Sequence, residues 1–119
     1  MLIVAFAYVA ILTYRVVVRY DGNITGLFCV GDKEPLPASL AGEGIYVHRD
    51  WIGYDGQFTL FLAYDPFLRI DLVASLPKPA YRYQRIGLPL LAHVLSGGNR
   101  TLLPWFVVGL NPAIFLVGC

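Results

Sequence analysis

The chain is 119 residues long, 57% hydrophobic and only 14% charged, with a mean hydropathy of +0.61. Soluble domains carry about a quarter of their residues as Asp, Glu, Lys and Arg, so a chain with roughly half that share cannot coat itself in polar groups, and lipid becomes the expected solvent. The net charge of +1 gives no basic excess for nucleic acid, and two cysteines, Cys29 and Cys119, are too few for a disulfide framework.

Residues 1–18 read as a first transmembrane helix, apolar apart from Thr13, Tyr14 and Arg15. About 20 apolar residues cross a bilayer, so this segment is at the short end. Arg15 and Arg19 lie one turn apart and can snorkel to the interface. A cleaved signal peptide is the competing reading, but no basic residue precedes the apolar run and no small-x-small site follows it. Residues 19–80 form a polar loop that holds all eight acidic residues, from Asp21 to Asp71. It is too long for flanking charge to orient. Asp21-Gly22-Asn23 signals a turn, while Pro35, Pro37, Gly42 and Gly44 mark irregular backbone.

Within the loop a short helix is expected near residues 56–65. Phe58, Phe61 and Leu62 share a face there, and Pro66 disfavours continuation. Such a helix suits the plane of the membrane interface. A juxtamembrane helix follows over 81–96, opening after Pro77 and Pro79 and broken by Ser96-Gly97-Gly98-Asn99. Residues 101–119 read as a second transmembrane helix, with Asn111-Pro112 marking a kink. No polar flank follows, so the sequence is expected to be a piece of a longer polytopic chain. The expected fold class is an all-α membrane protein: two membrane helices flank a long extracytoplasmic loop that carries short interfacial amphipathic helices.

The densest chemistry lies in Trp51-Ile52-Gly53-Tyr54-Asp55-Gly56-Gln57-Phe58. Small residues flank the Asp55 carboxylate and leave a ligand room to approach the backbone, and Trp51, Tyr54 and Phe58 offer flat faces for a sugar or a lipid head. Asp55 can accept a proton from an attacking hydroxyl or bind a cation. It can equally cap the following helix, and the two roles are compatible. Tyr54, Gln57 and Trp51 are the accompanying substrate-binding candidates. Arg82 and Arg85, three residues apart, would share a helix face, and their forked guanidiniums match phosphate oxygens. Ordinary interfacial anchoring, beside Tyr81 and Tyr83, is the alternative. Asp65 reads as a helix end and Asp50 as half of a weak surface pair with Arg49. His93 has no second His or Cys at ligand spacing, so packing is favoured and no metal is expected. Asn23-Ile24-Thr25 and Asn99-Arg100-Thr101 match the glycosylation triplet, a pattern common by chance.

The membrane helix, then Gly-Tyr-Asp-Gly-Gln-Phe (53–58), an Asp-Pro-Phe (65–67) and Pro-Ala-Tyr-Arg-Tyr-Gln-Arg-Ile-Gly-Leu-Pro-Leu-Leu-Ala (79–92) together resemble the N-terminal part of bacterial polytopic membrane proteins. The resemblance is to glycosyltransferases of the GT-C type, including mannosyltransferase-like members, and covers roughly residues 53–108. It implies a multi-pass inner-membrane enzyme that transfers a sugar, with inversion, from a polyprenyl-phosphate donor to an acceptor hydroxyl on the extracytoplasmic side. Asp55 would then be the base in the first extracytoplasmic loop, and Arg82 and Arg85 would face the lipid phosphate. The other reading is a small non-enzymatic membrane scaffold or accessory subunit.

Overall fold

The computed structural model describes residues 1–34, 36–68 and 76–118. Asp71 and Cys119, and with the latter any Cys29–Cys119 bridge, lie outside the described residues; among the described residues Cys29 has no disulfide partner. Helix dominates, and the strands amount to two residues each.

Helix α1 spans Leu2–Arg19. Its unbroken run of Leu, Ile, Val, Phe and Ala gives it little to bury against in its own chain: Leu2, Ile3 and Phe6 are 85%, 84% and 77% exposed, and only Val16 is buried. Among the described residues it is the one helix long and apolar enough to cross a membrane. At 1.5 Å per residue it covers about 27 Å, close to the ~30 Å hydrocarbon core. Thr13 donates its hydroxyl to the Val9 carbonyl at 2.8 Å, which satisfies the polar group within the helix, as a lipid-facing threonine requires.

After Tyr20 the chain turns through Asp21 and Gly22 into a 3₁₀ turn over Ile24–Phe28. The Asn23 side chain accepts from Thr25 N–H at 3.1 Å and from its hydroxyl at 2.6 Å, so this triplet is an Asx turn. Strands β1 (Val30–Gly31) and β2 (Val47–His48) pair in parallel, Val30 opposite Val47, and Gly53 bridges to Val30 in the antiparallel sense. A second 3₁₀ turn, Ala38–Leu40, lies between the strands. This small sheet departs from the all-α expectation.

Helix α2 (Asp55–Tyr64) occupies the centre of the molecule. The expectation of an amphipathic interfacial helix at 56–65 is corrected here. Gln57, Phe58, Leu60, Phe61, Leu62, Ala63 and Tyr64 are all buried, because the helix is apolar on every side and such a helix belongs in a core. It packs against the first 3₁₀ turn and against the two C-terminal helices. Leu60 and Ala63 are sealed in completely, next to Phe28, Ala92, Leu103 and Val107; burying a leucine in this way stabilises a fold by about 1.5–3 kcal/mol relative to leaving it exposed.

The expected helix over 81–96 is two helices, α3 (Pro79–Tyr83) and α4 (Gly87–Leu95). Between them Arg85 N–H and Ile86 N–H bond back three residues, to Arg82 and Tyr83, and Pro89 has no N–H to carry an α-helical ladder across the joint. Instead it sits in the first turn of α4, where proline is tolerated. Asn99 then caps α5 (Leu103–Gly118): its side chain accepts from the Thr101 and Leu102 N–H groups and its carbonyl from Leu103. Helix α5 has 16 residues, about 24 Å, and its first turns are buried at Leu103 and Val107. A two-span topology is therefore not shown; one apolar N-terminal helix is.

Candidate functional site

Asp55 is the first residue of α2, preceded by Tyr54 in extended backbone. Its carboxylate does not cap the helix. It meets Arg82 Nη1 of α3 at 2.5 Å, a residue 27 positions further on. A carboxylate in the first turn also lies in the favourable field of the helix N-terminus. Arg82 stacks over the Phe58 ring at 4.2 Å, an attraction of the cation to the ring face. Its Nε is buried and has no hydrogen-bond partner among the described residues. The arginine side chain is 19% exposed and the aspartate 66%, so the guanidinium is anchored and the carboxylate faces outward.

The pair lines a cleft of about 520 Å³ with Glu34, Gly53, Tyr54 and Pro77. Three local features build it. Gly53 takes φ +89, a conformation that side chains with a Cβ rarely adopt. Gly31 lies so close to the Trp51 carbonyl and the Gly53 nitrogen that a Cβ there would collide with backbone. Gln57, 2% exposed, then ties the two segments together: its Oε1 accepts from Gly31 N–H at 3.4 Å and its Nε2 donates to the Ile52 carbonyl at 3.3 Å. Gln57 thus supports the cleft floor, where the sequence suggested a ligand contact.

Asp32 fixes the approach to the cleft. Its two oxygens accept from Asp50 N–H at 3.1 Å and Trp51 N–H at 3.2 Å. The Asp50 bond, with help from Trp51, holds its carboxyl below the ordinary value of 3.8 against a smaller opposing push from burial. Asp50 itself sits at φ +56.

The structure brings Asp55, Arg82, Tyr54 and Gln57 together, while Trp51 and Arg85 stand apart. Trp51 touches the Tyr54 ring edge-on at 5.7 Å but lines a neighbouring cleft with Tyr46, His48 and Arg49. Arg85 falls in the turn after α3 rather than on it, and bonds the Tyr81 hydroxyl at 3.1 Å, so the expected shared face with Arg82 does not form. Glu34 and Pro77 were not legible as site residues, because only the strand pairing and the position of α3 bring them to the cleft. His93 is held by the Ala63 carbonyl at 2.8 Å. Among the described residues no three His, Cys, Asp or Glu side chains are grouped to share a metal ion.

The cleft therefore presents an outward carboxylate, a fixed guanidinium and an aromatic face within one open depression. That set can bind an anion, accept a proton from a hydroxyl and stack on a flat ring. Comparison of the chain with protein-family models, curated proteins and solved structures returns no match.

Proposed function

We propose that this chain is the N-terminal part of a multi-pass membrane glycosyltransferase that takes a sugar from a polyprenyl-phosphate donor. The observation that carries the proposal is the Asp55–Arg82 pair, 2.5 Å apart at the rim of an open cleft, in a chain whose first helix is long and apolar enough to cross a bilayer. In this reading the acceptor hydroxyl oxygen attacks the anomeric carbon and gives its proton to Asp55. The bond to the polyprenyl phosphate breaks on the opposite face, and the departing phosphate takes the electron pair. Asp55 loses its charge as it takes the proton, and the Arg82 guanidinium then pairs with the phosphate oxygens as their negative charge develops. Tyr54 supplies the flat face for the sugar.

A second reading, a non-enzymatic membrane scaffold, is favoured by one observation: α1 is almost unburied against its own chain and offers its surface to other subunits. The two readings separate in one experiment on the full-length protein in lipid, supplied with polyprenyl-phosphate sugars. Asp55→Asn should cut the transfer rate by about 10²–10⁴, the range that general-base catalysis supplies, and leave the fold intact because an exposed ion pair adds little stability. Arg82→Gln should lower kcat, because the contact it removes forms only as the phosphate charge develops. Transfer by Asp55→Asn at the parental rate would remove Asp55 as the base, and no transfer by the parental protein would leave the scaffold.

A further inference from the structure

At the other end of α2 from Asp55, about 14 Å along the helix, three depressions run together. A polar one of about 280 Å³ is lined by Asn23, Glu43, Tyr64, Arg100 and Thr101. It shares Gly22, Ile24 and Trp105 with an apolar groove of about 290 Å³ between α1 and α5, lined by Leu12, Val16, Val108 and Gly109. That groove in turn shares Tyr8 and Pro112 with a further apolar cleft of about 530 Å³, reaching Val4 and Leu116 at the far end of the two helices. The result is one track with a charged mouth and an apolar remainder that follows the helix able to cross a membrane.

The mouth carries both signs of charge. Arg100 Nη1 meets Glu43 Oε1 at 2.5 Å, with the two side chains 44% and 22% exposed, and the Arg100 guanidinium also lies 5.9 Å from the Tyr64 ring centre. A purely anionic head would be opposed by Glu43 and a purely cationic one by Arg100. A head with a phosphate and an ammonium lets each side chain trade its partner for an opposite charge, leaving none unpaired. We propose that this track is a binding site for a zwitterionic membrane phospholipid, its phosphate on Arg100, its ammonium on Glu43 and an acyl chain between α1 and α5. The site rests on α1 lying in lipid and is independent of any role for Asp55.

Gly109 supplies the test. A Cβ there meets nothing within 4 Å, so Gly109→Leu projects a side chain into the open groove and improves helix propensity at the same time. The full chain is reconstituted in vesicles of equal phosphatidylethanolamine and phosphatidylglycerol, extracted in mild detergent, and its retained lipid quantified. Phosphatidylethanolamine should be enriched over the bulk ratio. Retention should fall about tenfold in Gly109→Leu, a 1.4 kcal/mol change, with an unchanged melting temperature; in Arg100→Gln total retention should fall with the phosphatidylethanolamine preference kept, and in Glu43→Gln the preference should shift toward phosphatidylglycerol. Retention undiminished in Gly109→Leu, or a parental lipid ratio equal to the bulk, overturns the proposal. Alkaline washing of the vesicles separates the two ways of failing. A chain that stays with the vesicles yet keeps no lipid refutes only the site; a chain washed free refutes the membrane placement of α1, and the site falls with it.

Discussion

The fold changes the ionisation of Asp32 and Tyr64. The carboxyl of Asp32 is lowered by the backbone N–H of Asp50 and then of Trp51. A folded-state value below the unfolded one gives a contribution that is present above the ordinary 3.8 and lost as pH falls through the lower value. The amide resonances of Asp50 and Trp51 should therefore titrate together below pH 3.8, and Asp32→Asn should abolish that titration. Tyr64 shifts the other way, pushed up to about 12 first by burial and then by the charge of Glu43, with Arg100 opposing. Its contribution is complete below pH 10 and is lost as pH rises towards 12. Alkaline unfolding, followed by tyrosinate absorbance, should show a loss of stability across that window that Tyr64→Phe removes.

At the scale of elements, the decisive departures are α2 and the joint between α3 and α4. Three apolar residues at helical spacing suggested a face, yet Leu60, Ala63 and Tyr64 extend the apolar surface around the whole cylinder, and the helix goes to the centre. The loop that presents Tyr54 and Asp55 to solvent depends on backbone contact between β1 and residues 51–53. Gly31→Ala would force the Trp51 carbonyl and the Gly53 nitrogen away and strip the Gln57 clamp of its Gly31 partner. The expected cost is about 1–3 kcal/mol, read as a lower melting temperature together with a disordered Trp51 environment. Gly42→Ala, which meets nothing within 4 Å, is the matched control and should leave both unchanged.

For the whole molecule, the exposed apolar surface of α1 is the dominant fact. A radius of gyration of 14.3 Å lies close to the ~13.5 Å of a folded domain of this length, yet α1 stays uncovered, with only Val16 buried. Ile11 is 60% exposed near the middle of the helix. Ile11→Arg should shift the protein out of the membrane fraction after alkaline washing, since an arginine at the centre of a spanning helix costs about 2.5–3.5 kcal/mol on insertion. The opposite result, a membrane fraction unchanged by the arginine, would place α1 outside the hydrocarbon.

Composition and hydropathy determined the helical character, the apolar N-terminal helix and the segment that bears Asp55, because these depend on short-range pattern and on the scarcity of charge. The residue types in Gly53–Phe58 were equally legible. The sequence could not decide that Arg82 reaches Asp55 while Arg85 turns to Tyr81, or that Gln57 holds the cleft floor through backbone bonds. The first depends on where helix α3 ends, and the second on segments brought together across 26 residues, Gln57 with Gly31. Both arrangements are set by how α2 packs, and burial is a property of the packed molecule that no local spacing encodes.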